Sequence, residues 1–89
     1  YMRYTKLKIK VMVFAKFKEI VNTGNFELDL STGADVNEAI DKICLKYPSL
    51  NLKKLKFLVA VNYNYASYTE ILQEGDEIAL IPPVSGGYV

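Results

Sequence analysis

Eighty-nine residues suit one small domain with a single core, and 51% hydrophobic against 24% charged residues exclude a disordered chain. Eleven basic and ten acidic side chains leave a net charge of +1, too weak a field to draw the protein onto nucleic acid or anionic lipid. With no histidine and one cysteine, Cys44, the usual zinc and histidine-base sites and any internal disulfide are excluded, which fits a reducing cytoplasm. No apolar run approaches the roughly 20 residues that span a bilayer, and no signal-peptide h-region follows the N-terminus. A cytoplasmic protein with neither nucleic acid nor membrane as partner is expected.

Residues 1–5 read as an N-terminal extension. The stretch KLKIKVMVF, residues 6–14, then alternates, with Leu7, Ile9, Val11 and Val13 on one face and Lys6, Lys8 and Lys10 on the other. This predicts a half-buried strand whose lysine face turns apolar at Met12 and Phe14. Phe17, Ile20 and Val21 recur at helical spacing before the Asn22-Thr23-Gly24 breakers, so a short helix is expected to turn the chain back. NFELDL, residues 25–30, alternates again and should pair with the first strand.

Asp35 with Glu38 three residues on resembles a capping box, and Val36, Ala39, Ile40, Ile43, Cys44 and Tyr47 form one apolar stripe. The main helix is therefore placed at 35–47, stopped by Pro48. The connector that follows carries Leu50, Leu52 and Leu55 as expected anchors and the basic residues Lys53, Lys54 and Lys56. FLVAVN, residues 57–62, suits a central strand. Residues 63–71 read as an irregular or short edge segment, Glu74-Gly75-Asp76 as a turn, and EIALI, residues 77–81, as the last strand. Strands and helices in this order predict a two-layer α+β domain over residues 6–81, a mixed sheet covered by one main helix.

Among the side chains no catalytic constellation stands out: the acids are scattered, and no glycine-rich loop joins a strand to a helix. Cys44 lies on the helical stripe, where a cysteine behaves as a small hydrophobe rather than a reactive thiol. Lys53, Lys54 and Lys56 are either a docking patch for an acidic partner or a solvated loop. Tyr63, Tyr65 and Tyr68 are either an interaction surface or cover for the sheet edge.

Residues 82–89, PPVSGGYV, form an extended tail. Pro82 and Pro83 cannot continue a central strand and favour extended geometry, so the chain leaves the sheet there. Gly86 and Gly87 lack β-carbons and can thread a narrow channel beside another protein's catalytic groups. A frayed terminus is the bland alternative.

The run EGDEIALIPPVSGG, residues 74–87, resembles the C-terminus of the small subunit of molybdopterin synthase, a sulfur carrier with the ubiquitin-like β-grasp fold. KVMVFAKFKEI at 10–20 and FLVAVN at 57–62 resemble that family's first strand with its short helix and its central strand. The resemblance implies a sulfur-donating subunit that is not catalytic alone. An activating enzyme related to those that activate ubiquitin would adenylate the terminal glycine carboxylate with ATP and magnesium. A sulfur donor enzyme would then convert the adenylate to a thiocarboxylate. No cofactor or metal would be bound by this chain. The tail would enter the large subunit, in a heterotetramer, and give its sulfur to cyclic pyranopterin monophosphate. Carried over, Gly87 bears the sulfur, Gly86 gives clearance, and Pro82, Pro83, Val84 and Ser85 position the tail. Phe14 and Ile81 are the implied partner-binding residues.

The sequence departs from the family pattern in one respect, because Gly87 is joined to Tyr88 and then Val89. A glycine in a peptide bond has no carboxylate to adenylate. A precursor trimmed by a protease, residues added to the native chain and a carrier that no longer accepts sulfur would all account for this. A carrier for another pathway, a ubiquitin-like protein modifier and a non-catalytic interaction module are the competing functions.

Overall fold

The computed structural model describes residues 6–82, and the alternating apolar pattern of the chain becomes a five-stranded sheet. Strand β1 (Lys6–Val13) leads through helix α1 (Ala15–Val21) to β2 (Asn25–Ser31), and helix α2 (Val36–Lys46) follows. A 3-10 turn at Leu52–Lys54 then precedes β3 (Leu58–Val61), β4 (Asn64–Tyr65) and β5 (Glu77–Ile81). The strand order is β2-β1-β5-β3-β4. All pairings are antiparallel except that of β1 with β5. The expected hairpin-like pair of the first two strands is present, with Leu7 opposite Leu30 and Val11 opposite Phe26.

One face of the sheet and α2 enclose the core. Ile9, Val11, Ile43, Ile78 and Leu80 are at most 1% exposed, and no polar or charged side chain is buried among the described residues. This is the two-layer α+β arrangement expected from the alternation in the strands and the stripe on the helix.

α2 starts where the capping pattern placed it. Asp35 is the N-cap, and its Oδ1 accepts a hydrogen bond from the Glu38 N–H at 3.0 Å. Two further N–H groups of the first turn, which have no partner within any helix, donate outside it: Val36 to the Glu70 carbonyl at 3.0 Å and Asn37 to the Tyr68 carbonyl at 2.9 Å. The segment read as irregular thus caps the main helix. Replacing Asp35 by Ala removes only the Glu38 acceptor, so a loss of about 1 kcal/mol is expected in urea unfolding. A loss above about 3 kcal/mol would mean that the whole helix start depends on Asp35.

Four details differ from the sequence reading. β1 ends at Val13, and Phe14 is the extended N-cap of α1, 44% exposed. In α1, Phe17 and Val21 face the core, four residues apart, whereas Ile20 is exposed, because a seven-residue helix offers the core one narrow stripe. Leu50 and Leu52 are buried anchors but Leu55 is exposed. The strand at the centre of the sheet is β5, not the FLVAVN strand, which shortens to β3 beside the edge.

Candidate functional site

The parallel pairing of β1 with β5 puts the C-terminal ends of both strands at one end of the sheet. Val13 lies opposite Leu80, so the next residues, Phe14 and Ile81, meet although they are far apart in sequence. They line a groove of about 360 Å³ on the sheet face opposite α2, together with Met12, Ala60, Ala79, Tyr63, Tyr65 and Glu77. Pro82 follows Ile81 directly, so the tail leaves from the rim of this groove. The other predicted tail residues, Pro83, Val84, Ser85, Gly86 and Gly87, lie outside the described residues, as do Tyr88, Val89 and residues 1–5.

Period-two alternation explains the groove floor. The odd residues of β1 and the even residues of β5 face the core, which sends Met12, Glu77, Ala79 and Ile81 to the open face. Met12 lies opposite Ala79, and Ala79 opposite Ala60, so small side chains make the floor low. Toward the other end of the sheet the same face becomes charged, with Lys10 between Glu27 and Glu77 and Lys8 Nζ 3.6 Å from Glu27 Oε1. The apolar part is thus confined to the end where the tail departs.

Both rims hold backbone in the left-handed region without glycine. Ala15, beside Phe14, has φ 51°, and the two-residue β3–β4 turn has Asn62 at φ 51° and Tyr63 at φ 72°. Asn62 anchors that turn: its N–H donates to the Glu77 carbonyl at 2.8 Å, its Oδ1 accepts from the Glu77 N–H at 3.0 Å, and its Nδ2 donates to Asp76 Oδ1 at 2.9 Å. The neighbouring Glu77 carboxylate pushes the Tyr63 phenol pKa up.

The structure separates the other candidates. Tyr63 and Tyr65 border the groove, but Tyr68 packs on Phe57 with centroids 6.1 Å apart. Tyr68 and Leu55 belong to a second hollow of about 450 Å³ on the helix side of the sheet, where Lys53 Nζ meets Asp41 Oδ1 at 2.8 Å. That hydrogen bond and charge raise the Lys53 pKa. Cys44 is half-buried against the core, its Sγ 3.9 Å from the Leu50 carbonyl oxygen. Glu77 was missed as a site residue, although the alternation of EIALI already places it on the face of Ala79 and Ile81. Among the described residues no group of three or more acidic or cysteine side chains comes together to hold a metal, and no helix is long and apolar enough to cross a membrane.

A mixed five-stranded sheet folded over one long helix, with the chain departing from its central strand beside an open apolar face, defines a ubiquitin-like β-grasp protein. The solved structure of the small archaeal modifier protein SAMP1 of Haloferax volcanii shares this fold at a TM-score of 0.82, with 28% identity, covering 90% of this chain and 99% of that one. The chain belongs to the ThiS family, whose model matches residues 11–87. It is similar to the molybdopterin synthase sulfur carrier subunit of Arabidopsis thaliana, at 34% identity over 83 residues, 93% of this chain and 86% of that protein. The subunit of the same name from Mycobacterium tuberculosis is 34% identical over 82 residues, 91% of this chain and 99% of that protein.

Proposed function

We propose that this chain is the sulfur-carrier subunit of a molybdopterin synthase, acting in the cytoplasm through the carboxylate of Gly87 once the chain is released after that residue. The observation that carries this reading is the extent of the family match, which runs through the tail to Gly87 and no further. The groove beside Pro82 supports it, since a protein that takes up the tail must come against the Phe14 and Ile81 rim.

The chemistry follows from the weakness of a carboxylate as an electrophile. An adenylating partner joins a carboxylate oxygen of Gly87 to the α-phosphorus of ATP, with magnesium, and pyrophosphate leaves. Sulfur at the oxidation level of sulfide, supplied by a donor enzyme, then attacks the acyl carbon, AMP leaves, and a thiocarboxylate remains. The large subunit, in a heterotetramer, receives the tail and transfers the sulfur to cyclic pyranopterin monophosphate. This chain contributes reach, clearance at Gly86 and a docking face at Phe14 and Ile81, while the catalytic side chains belong to the partners.

The intact mass of the protein recovered from its own cells, with fragmentation of its C-terminal peptide, tests this reading. A chain ending at Gly87 with one oxygen replaced by sulfur is the expected result. A population that all continues through Tyr88 would count against it. The likeness to an archaeal modifier protein favours one second reading, conjugation of Gly87 to lysines of other proteins, which predicts isopeptide-linked ladders in place of the thiocarboxylate.

A further inference from the structure

Tyr63 occupies a position that the fold alone would give to another residue. A two-residue hairpin turn with both φ angles positive, here 51° and 72°, favours asparagine followed by glycine, because a β-carbon in the left-handed region crowds the backbone. Asn62 fits this rule and Tyr63 violates it. The ring also brings no burial to the core, since Tyr63 is 89% exposed. A bulky side chain held in strained backbone and left in water is the pattern found where a residue serves binding.

Its surroundings indicate what it binds. The ring borders the groove together with Glu77, whose carboxylate lies close enough to push the Tyr63 phenol pKa up. Glu77 is the charged residue that lines the groove; beyond it stand the carboxylates of Asp76 and Glu74 and, on the same face of β1, the ammonium groups of Lys10, in register with Glu77, and of Lys8, 3.6 Å from the Glu27 carboxylate. Asp76 accepts from Asn62 Nδ2 and from the Gln73 N–H at 2.8 Å, and Glu74 Oε1 accepts from the Lys8 N–H at 2.9 Å. Backbone and amide donors therefore hold Asp76 and Glu74 in place, and four carboxylates, with Glu27 included, stand against the two ammonium groups of Lys8 and Lys10. The rim is anionic next to an aromatic face and a low apolar floor. That combination matches a guanidinium, which stacks on a ring, pairs with a carboxylate and lays its carbon stem on small residues such as Ala60 and Ala79.

We propose that Tyr63 and Glu77 form a cation-recognition subsite on the docking groove, taking an arginine side chain that the large subunit projects beside apolar residues seated on Met12, Phe14 and Ile81. The proposal rests on the sulfur-carrier reading and adds to it the residues that select the partner. In the complex the arginine replaces water over the Tyr63 ring and shares Glu77 with the phenol.

The test uses the chain ending at Gly87 and its cognate large subunit, with Kd measured by calorimetry at low and high salt and Tm measured for the free carrier. Tyr63→Gly should raise the Tm, by relieving the left-handed strain, and weaken binding about tenfold. Glu77→Gln should weaken binding by a similar factor and flatten its salt dependence. A Tyr63→Gly carrier that keeps its Kd would overturn the subsite, and a fall in its Tm would show the ring to be structural instead. Glu77→Gln leaving both Kd and salt dependence unchanged would overturn it as well. If the unaltered carrier does not bind the large subunit at all, the sulfur-carrier reading falls and takes the subsite with it.

Discussion

A chain ending at Gly87 is expected to be adenylated by its activating enzyme, with pyrophosphate released, whereas the chain that continues through Tyr88 is expected to give no product above background. The difference is covalent. In the longer chain the Gly87 carbonyl belongs to a planar amide, which offers no anionic oxygen to attack phosphorus. Within the shorter chain, Gly87→Ala adds a methyl group that, on the sulfur-carrier proposal, stands beside the partner's catalytic groups, and displacement of the reacting atom by about 1 Å costs roughly a hundredfold. Its Tm should stay as it was, because the hydrophobic core of the described residues runs from Leu7 to Leu80. Pyrophosphate release with the purified activating enzyme, read for the three chains in parallel, decides the matter. Equal turnover of the chain that carries Tyr88 would overturn the requirement for release after Gly87.

The largest effect on stability is expected from Leu80→Ala, at about 2–5 kcal/mol in urea unfolding. Leu80 is fully buried on the central strand, opposite Val13 on one side and Val59 on the other. Truncating it opens a cavity between sheet and helix that three strands would have to move together to fill. Against the roughly 5–15 kcal/mol typical of a whole domain, this is a large fraction. Because Ile81 and Pro82 directly follow Leu80, slackness there should also weaken docking. Leu45→Ala supplies the contrast: Leu45 is 78% exposed on α2, and its loss should stay within about 0.5 kcal/mol. Equal effects at the two positions would mean that β5 is not the centre of the fold.

The two substitutions at leucine also mark how far a sequence can be read. Both residues sit in apolar surroundings in the chain. For Leu80 the alternation of EIALI suffices to place it inward, and for Leu45 the stripe from Val36 to Tyr47 suffices to leave it out. Where the pattern is short, this fails. Ile20 follows the helical spacing of Phe17 and Val21, yet α1 has too few turns to bury a wide stripe, and it faces solvent. Leu55 has the composition of an anchor, but Leu50 and Leu52 already fill the core beneath the connector. At Tyr63, Tyr65 and Tyr68 composition could not choose between two roles, and the fold assigned Tyr68 to one side of the sheet and the other two to the groove.

Local regularities were readable from the sequence: the period of two in β1, β2 and β5, the Asp35 cap and stripe of α2, and the end of the last strand before Pro82. Each depends on residues a few positions apart, where sterics and hydrogen bonding act within one element. The strand order depends on which remote segments pair, and the same alternating pattern suits a central strand and an edge strand alike. Tertiary structure decided that β5 lies between β1 and β3 and runs parallel to β1. That pairing carries Phe14 to Ile81, at the rim of the groove from which Pro82 departs, and the antiparallel pairing of β3 with β5 sets Tyr63 beside Glu77. Neighbouring residues do not determine it, because its free energy comes from closing one core between several strands and α2 at once, a property of the assembled sheet.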